Sequence, residues 1–92
     1  MLKIVNSDIY RGSTKIGYIK DNDLFDSRGS KVGYFSDNDI YGRNGMKIGF
    51  IESNELIASD GRKVRVDEVR RKIEGGSISD TERAAIYLLI GD

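Results

Sequence analysis

The sequence contains no cysteine and no histidine. Without cysteine there are no disulfides and no thiol nucleophiles, and without histidine no triad can use an imidazole as its base. Structural zinc sites lose their two usual ligands for the same reason. These absences remove most common hydrolase chemistries, and the sequence predicts a protein that is not an enzyme.

The sequence also has no excess of charge and no long hydrophobic run. Fifteen basic and fifteen acidic side chains cancel, so no overall field favours nucleic acid or an anionic membrane. The longest apolar stretch, 84–90, has seven residues, whereas a membrane-spanning helix needs about 20. The apolar run at the N-terminus, 1–5, is broken and too short for the core of a secretory signal. We therefore expect a cytoplasmic protein without membrane contact, folded as a single domain over 1–92.

A repeat of about sixteen residues occurs four times, beginning at Asp8, Asp23, Asp39 and Glu55. Such regularity indicates a repeat architecture and not an active site. Three series recur at intervals of sixteen, namely Gly17, Gly33 and Gly49; Lys15, Lys31, Lys47 and Lys63; and Asn6, Asn22, Asn38 and Asn54.

Each repeat is typical of one β-hairpin. In the second copy Leu24 and Phe25 begin a strand, 27–29 form a turn and 31–35 return. In the third and fourth copies the turn contains Asn-Gly or Asp-Gly, which suit the positive φ angles of tight hairpins. The sequence predicts a mainly β fold with four such hairpins around a pseudo-fourfold axis, occupying 1–71, followed by C-terminal helices.

Alternation along the strands assigns faces to the side chains. Gly17 and Ile19 share one face and Ile16 and Tyr18 the other, so both faces carry large apolar groups. Glycine inside a strand is costly unless something approaches closely, so we expect crowding at the glycine register. In the fourth copy Arg65 replaces the glycine, which predicts an edge strand or an outward turn.

Two further segments complete the predicted architecture. The N-terminal residues 2–5 look like an extra strand, which we expect to pair beside the last hairpin and close the ring. A short helix is predicted over 67–74 and a second over 79–90, where Ser79 and Glu82 form a capping box. The second helix carries a wide apolar stripe, which predicts either a cap on the hairpin array or a homodimer contact.

The pattern K-[IV]-G-[YF]-[IF], present at Lys15, Lys31 and Lys47, resembles the four-fold beta-flower domain of small bacterial proteins. The resemblance covers 8–71 and implies four hairpins arranged as petals about a pseudo-fourfold axis. It implies no activity, and therefore no catalytic residues. The fourth copy departs from the pattern at Arg65 and Asp67.

Three kinds of candidate site remain. Rings at repeat positions, Tyr18, Tyr34 and Phe50, are candidates for lining a ligand pocket, although a core needs the same residues. The Asp and Asn residues between hairpins suit calcium, but turn chemistry explains them better, so no metal or cofactor is expected. A basic concentration is a candidate phosphate or nucleic-acid surface, with the solvated side of a helix as the favoured interpretation; it comprises Arg62, Lys63, Arg65, Arg70, Arg71 and Lys72.

These observations favour a non-enzymatic structural or protein-interaction module, whose partner is an unidentified protein or a second copy of the chain. The alternative is a small-molecule or metal-binding protein with a pocket on the symmetry axis. Nucleic-acid binding through 62–72 is the third interpretation.

Overall fold

The structure is a computed structural model that describes residues 2–75 and 78–91. In these ranges the chain is mainly β, with ten strands in one sheet and a C-terminal helix, which confirms that part of the prediction. The strands are β1 Leu2–Val5, β2 Asp8–Arg11, β3 Thr14–Lys20, β4 Asp23–Asp26, β5 Lys31–Ser36, β6 Asp39–Gly42, β7 Lys47–Glu52, β8 Glu55–Ala58, β9 Lys63–Arg65 and β10 Ile73–Glu74, and the helices are α1 Val66–Lys72 and α2 Asp80–Leu89.

Strands β1 to β9 follow one another in sheet order, each antiparallel to the next. Two-residue turns link the successive hairpins, and the first residue of each turn has a positive φ. Asparagine and aspartate tolerate this conformation, which explains their recurrence between the hairpins. The φ values are 58° at Asn6, 57° at Asp21, 55° at Asp37 and 52° at Ser53.

Strand pairing corrects one alignment suggested by the interval of sixteen. Asn6 precedes Asn22 by sixteen residues, but Val5 pairs with Asp8 as Lys20 pairs with Asp23. Asn6 therefore occupies the first position of its turn, where the next turn has Asp21. The first hairpin is one residue shorter than the others, and this deletion shifts the phase.

A β-bulge gives the first three hairpins a shared asymmetry. Leu24 pairs with Gly33 while its neighbour Phe25 pairs with Lys31, so Val32 has no opposite residue. Because directly opposed residues lie on the same face, the extra residue puts Gly33 on the inner face and Lys31 on the outer face. The same register shift occurs between Ile9 and Tyr10 and between Ile40 and Tyr41.

The fourth hairpin has a regular register and no shift between its described strands. Leu56 pairs with Val64, and Glu55 pairs with Arg65. Arg65 therefore shares the outer face with Glu55, which explains why a long charged residue stands where the other copies have glycine. The expectation that this strand lies at an edge is confirmed, since β9 is the last strand of the sheet.

The sheet must be strongly curled, because its two end strands are joined by a short helix. The seven residues of α1 span about 10 Å, whereas ten strands side by side would make a flat sheet about 43 Å wide. The longest dimension of the molecule is 32 Å. Helix α1 connects β9 directly to β10, so it spans the distance between the two edges.

The expected position of the N-terminal strand is wrong. β1 pairs with β2 and, in parallel, with β10, where Leu2 lies opposite Ile73. The last hairpin is not its neighbour, because α1 carries the chain past β9 before Ile73 and Glu74 join the sheet. For the same reason α1 ends at Lys72, two residues before the end of the predicted helix.

The hairpins are also paired with one another, through β3 and β4, β5 and β6, and β7 and β8. They form one continuous sheet and not four separate petals. This topology does not show the predicted pseudo-fourfold symmetry.

Helix α2 packs on the inner face of the sheet and forms the centre of the core. Ser79 caps it by accepting a hydrogen bond from the Glu82 amide at 3.1 Å, and Gly91 follows its end with a φ of 70°. Its middle residues, Ala84, Ala85 and Ile86, are completely buried. Equivalent positions of the four hairpins pack in the same core, namely Ile9, Leu24, Ile40 and Leu56.

The repeated glycines lie against the C-terminal end of this helix. A Cβ atom built on Gly33 would lie 2.5 Å from a Leu89 methyl and 2.5 Å from the Tyr41 carbonyl oxygen. Gly17 and Gly49 are crowded in the same way, by Ile90 and Leu88 respectively. Consecutive helical residues project about 100° apart, so three hairpins contact three sides of the helix end. The predicted crowding is present.

We expect Gly33→Ala to lower the free energy of unfolding by about 2 kcal/mol, since its methyl group would overlap a carbonyl oxygen held in the sheet. Gly42→Ala is the matched control, because its Cβ would meet no atom closer than 3.5 Å. Urea denaturation of both variants measures the difference. Equal stabilities within about 0.5 kcal/mol would show that the glycine register is not crowded.

Candidate functional site

The face of the sheet turned away from α2 carries a repeated group of three side chains. In each of the first three hairpins, a lysine lies beside the aspartate that begins the hairpin. The bulge is responsible, because it turns the lysine toward the outer face. The distances from Nζ to Oδ1 are 3.1 Å for Lys15 and Asp8, 3.0 Å for Lys31 and Asp23, and 3.1 Å for Lys47 and Asp39.

Each of these lysines also lies over an aromatic ring. The Nζ atoms are 5.3 Å from the ring centroid of Tyr18, 4.8 Å from that of Tyr34 and 4.7 Å from that of Phe50. Neighbouring hairpins add a second ring to the first two groups. Tyr18 stacks on Phe25 at 4.9 Å between centroids, and Tyr34 stacks on Tyr41 at 4.8 Å.

We call the resulting surface the outer belt; its lysines and rings are Lys15, Tyr18, Phe25, Lys31, Tyr34, Tyr41, Lys47 and Phe50. The rings are half-buried. Stacking contributes about 0.5 to 1.5 kcal/mol for each pair, and a cation over an exposed ring about 0.5 to 1 kcal/mol. The belt lets large apolar groups face outward without a second layer of structure above them.

The belt contains the three rings predicted to line a ligand pocket, but on a different side of the molecule. Tyr18, Tyr34 and Phe50 lie on the outer face, each against its own lysine. The inner face at the glycine register is filled by residues 88–90, at the C-terminal end of α2. Ligand binding by these rings stays a prediction, and the cavity described below is lined by other residues.

The second ring of each stack is a member of the belt that the repeat pattern also offers for a pocket, beside Tyr18, Tyr34 and Phe50. Phe25 and Tyr41 recur at the same repeat position, so the signal was available. Their contacts depend on pairing between hairpins, which the hairpin pattern alone does not specify. The position of the lysines could not be predicted at all, because simple alternation places Lys31 on the inner face with Gly33.

The predicted basic surface divides into separate groups. Arg70 donates two hydrogen bonds to the carboxylate of Asp80, at 2.9 and 2.8 Å, and a longer one to Asp67 at 3.4 Å. It therefore ties α1 to the first turn of α2. Lys63, Arg65 and Arg71 are exposed at other positions of β9 and α1.

The remaining two basic residues meet at one cavity of about 270 Å³. Arg62 comes from the turn between β8 and β9, and Lys72 is the last residue of α1. Tyr87, Leu88 and Gly91 complete the lining from the end of α2. Sequence reasoning placed Arg62 and Lys72 in one basic segment. The two residues are ten positions apart in the chain, and the fold brings both to the same cavity.

The pKa shifts in the described residues have local causes. The Arg70 guanidinium, by hydrogen bonding and by charge, lowers the pKa of Asp80. Backbone amides of the hairpin turns lower the pKa of Asp26, chiefly through Ser30, and that of Asp60, chiefly through Arg62. Burial raises the pKa of Glu82. The four aspartate and glutamate shifts thus belong to turns and helix starts.

In 2–75 and 78–91 no three His, Cys, Asp or Glu side chains come together as a group that could hold a metal ion. The helices in the same ranges are too short and too polar to cross a membrane.

Comparison of the chain with protein-family models, with curated proteins and with solved structures gave no match. The resemblance to the beta-flower domain therefore stays a prediction.

A lysine of the outer belt can be tested by Lys31→Met, which keeps the apolar stem and removes the charge. We expect a loss of about 0.5 to 1 kcal/mol in the free energy of unfolding, because one ion pair and one cation–ring contact disappear. Lys20→Met is the control, since Lys20 is exposed and is not part of the belt. Equal urea denaturation midpoints for the two variants would contradict a stabilising role of the belt lysine.

The bridge between α1 and α2 predicts a pH dependence. A carboxyl group whose pKa is lowered in the folded state stabilises the fold above its unfolded pKa, and this contribution disappears as the pH falls through the lowered value. We therefore expect Asp80→Asn to be less stable than the wild type near neutral pH, with a difference that shrinks below the ordinary aspartate pKa of 3.8.

The matched control for that variant is Asp67→Asn, because Asp67 contacts the same arginine through one longer hydrogen bond at 3.4 Å. Thermal unfolding from pH 2 to pH 8 compares the three proteins. A destabilisation by Asp80→Asn that is the same at pH 2 and pH 7 would show that the bridge is not its cause.

Proposed function

We propose that the protein is a non-enzymatic structural or protein-interaction module and that the outer belt is its contact surface. The observation that carries this proposal is the repetition of one group, a carboxylate, a lysine and a ring, on the same face of three hairpins. Aromatic residues are enriched at protein interfaces, and tyrosine combines a large apolar body with a polar tip.

The charges of the belt favour a protein as the partner. Each belt lysine lies within 3.1 Å of an aspartate oxygen, so the belt has no net positive charge to offer a polyanion. Each belt ring has a lysine or another ring against it, and the tyrosines also offer a hydroxyl group for contact. A protein surface with apolar groups and hydrogen-bonding groups of its own complements this arrangement.

The sequence also indicated a second copy of the chain as a partner, bound through α2. The structure uses the apolar stripe of this helix within the chain: Ala84, Ala85 and Ile86 are completely buried and 88–90 cover the glycines. We therefore place the proposed partner on the belt and not on α2. We propose the cytoplasm as the location, on the sequence grounds given above.

The proposal also includes the arrangement of the four hairpins around α2. We infer that the four hairpins, as parts of one continuous sheet, are disposed around α2 in a pseudo-fourfold arrangement. Two observations support this: consecutive residues 88–90 lie against Gly49, Gly33 and Gly17 in turn, and equivalent inner residues of all four hairpins share one core.

Photo-crosslinking tests the contact surface. A benzophenone amino acid is placed at position 34, in the centre of the belt, or at position 5 as the control, where Val5 is 43% exposed but lies outside the belt. We expect a discrete crosslinked product in the cell from position 34 only. Native mass spectrometry of the gently purified protein should show the same partner in a constant ratio.

Two results would contradict the proposal. Identical products from positions 34 and 5 would show that the belt is not a selective surface. A chain that carries only a small-molecule mass, with no crosslinked protein, would favour the ligand-binding alternative. The variant Tyr41→Ser, checked for folding by circular dichroism, should reduce the product from position 34, because it removes the belt ring next to that position.

A further inference from the structure

The loss of the repeat pattern in the fourth hairpin has a consequence at the end of α2. Ile90, Leu89 and Leu88 each lie against the glycine of one hairpin, in that order. The next residue in this series, Tyr87, has no such glycine, because the fourth hairpin lacks the bulge and places Arg65 on the outer face. The cavity of about 270 Å³ lies here, and Tyr87 is part of its lining.

Two cationic groups from different elements border this cavity. Arg62 uses its Nε to bind the Asp60 carboxylate at 2.8 Å, while its two terminal nitrogens make no hydrogen bond to the described residues. Lys72 has its Nζ 5.7 Å from the centroid of the Tyr87 ring. Within the described residues no carboxylate lies within ion-pair distance of Lys72.

The C-terminal end of a helix carries a partial negative charge of about half a unit, which attracts cations. Helix α2 has no basic residue in its last turn, and Arg11 donates a hydrogen bond to the Gly91 carbonyl at 3.3 Å. Among the described residues, the two positive charges of Arg62 and Lys72 exceed the negative charge of Asp60 and the partial charge of the helix end. These residues leave a net positive charge beside the apolar surface of Leu88 and Tyr87.

We propose that this cavity binds a small anion that carries a phosphate group, such as a phosphate monoester. The terminal nitrogens of Arg62 and the Lys72 ammonium would bind phosphate oxygens, as a guanidinium and an ammonium commonly do. The apolar part of the ligand would contact Leu88. The volume is slightly below the range of about 300 to 1,000 Å³ typical of drug-sized ligands, which favours a compact molecule over a polymer.

Isothermal titration with phenyl phosphate and with inorganic phosphate tests this site in the full chain. We expect saturable binding of one phenyl phosphate per chain. Arg62→Gln and Lys72→Gln should each weaken it about tenfold, because each removes a charged hydrogen-bond donor. Arg71→Gln is the matched control, since Arg71 is exposed on the same helix as Lys72 but does not line the cavity, and its affinity should not change.

Nuclear magnetic resonance locates the site independently of affinity. The amide of Gly91 and the side chain of Arg62 should shift on titration, while the belt residues should not. All three substitutions replace exposed side chains, so the variants should keep the wild-type spectrum and a loss of binding is not a loss of folding.

Three results would overturn the proposal. Absence of saturable binding at about 10 mM phenyl phosphate would exclude a phosphate site of useful affinity. An equal loss in Arg71→Gln would assign the binding to diffuse positive charge. Binding of a short single-stranded oligonucleotide that is weakened by Arg65→Gln and Arg71→Gln, and not blocked by phenyl phosphate, would assign the segment to nucleic acid.

Discussion

The close approach of the sheet to the C-terminal end of α2 is the constraint on which the rest of the structure depends. Gly17, Gly33 and Gly49 lie where a side chain would overlap a leucine or isoleucine of the helix or a carbonyl of the next strand. Three hairpins can contact three sides of one helix end only if the sheet curls around it. The curl brings β9 and β10 to the two sides of α1, which connects the two edges, and makes room for β10 beside β1.

The β-bulge couples the two faces of each hairpin. A single extra residue turns the glycine toward α2 and the lysine toward the outer face, so the inner packing and the outer belt arise from the same irregularity. The fourth hairpin shows what happens without it. Arg65 points outward opposite Glu55, no glycine lies against Tyr87, and a cavity remains at that side of the helix end. The two proposed surfaces also differ in their ion pairs. The belt lysines are each paired with an aspartate, whereas among the described residues Asp60 pairs with Arg62 and no carboxylate pairs with Lys72. We therefore propose a protein as the partner of the first surface and a small phosphate-bearing anion as the ligand of the second.

Much of the local structure could be predicted from the residues themselves. The hairpins and their turns depend on neighbours a few residues apart, and the interval of sixteen residues made them visible. The cap at Ser79 was predictable from Glu82 three residues later, and the edge position of β9 from Arg65 at the glycine register. Crowding at the glycine register was predictable because glycine inside a strand needs a reason. The functional surfaces were less accessible. Tyr18 and Tyr34 were selected as pocket residues, but alternation could not show whether their face or the glycine face covers the helix.

The sequence by itself therefore determined that the chain is mainly β, where each hairpin turns and where α2 begins and ends, because hydrogen bonding within turns and caps is local. Only the tertiary structure decided the bulges, the pairing of β1 with β10 and the joining of the hairpins into one curled sheet. It also decided that lysines and rings form a belt and that Arg62 and Lys72 meet at one cavity. These features require residues distant in the chain to lie at defined positions around α2, and that placement depends on packing of the whole chain.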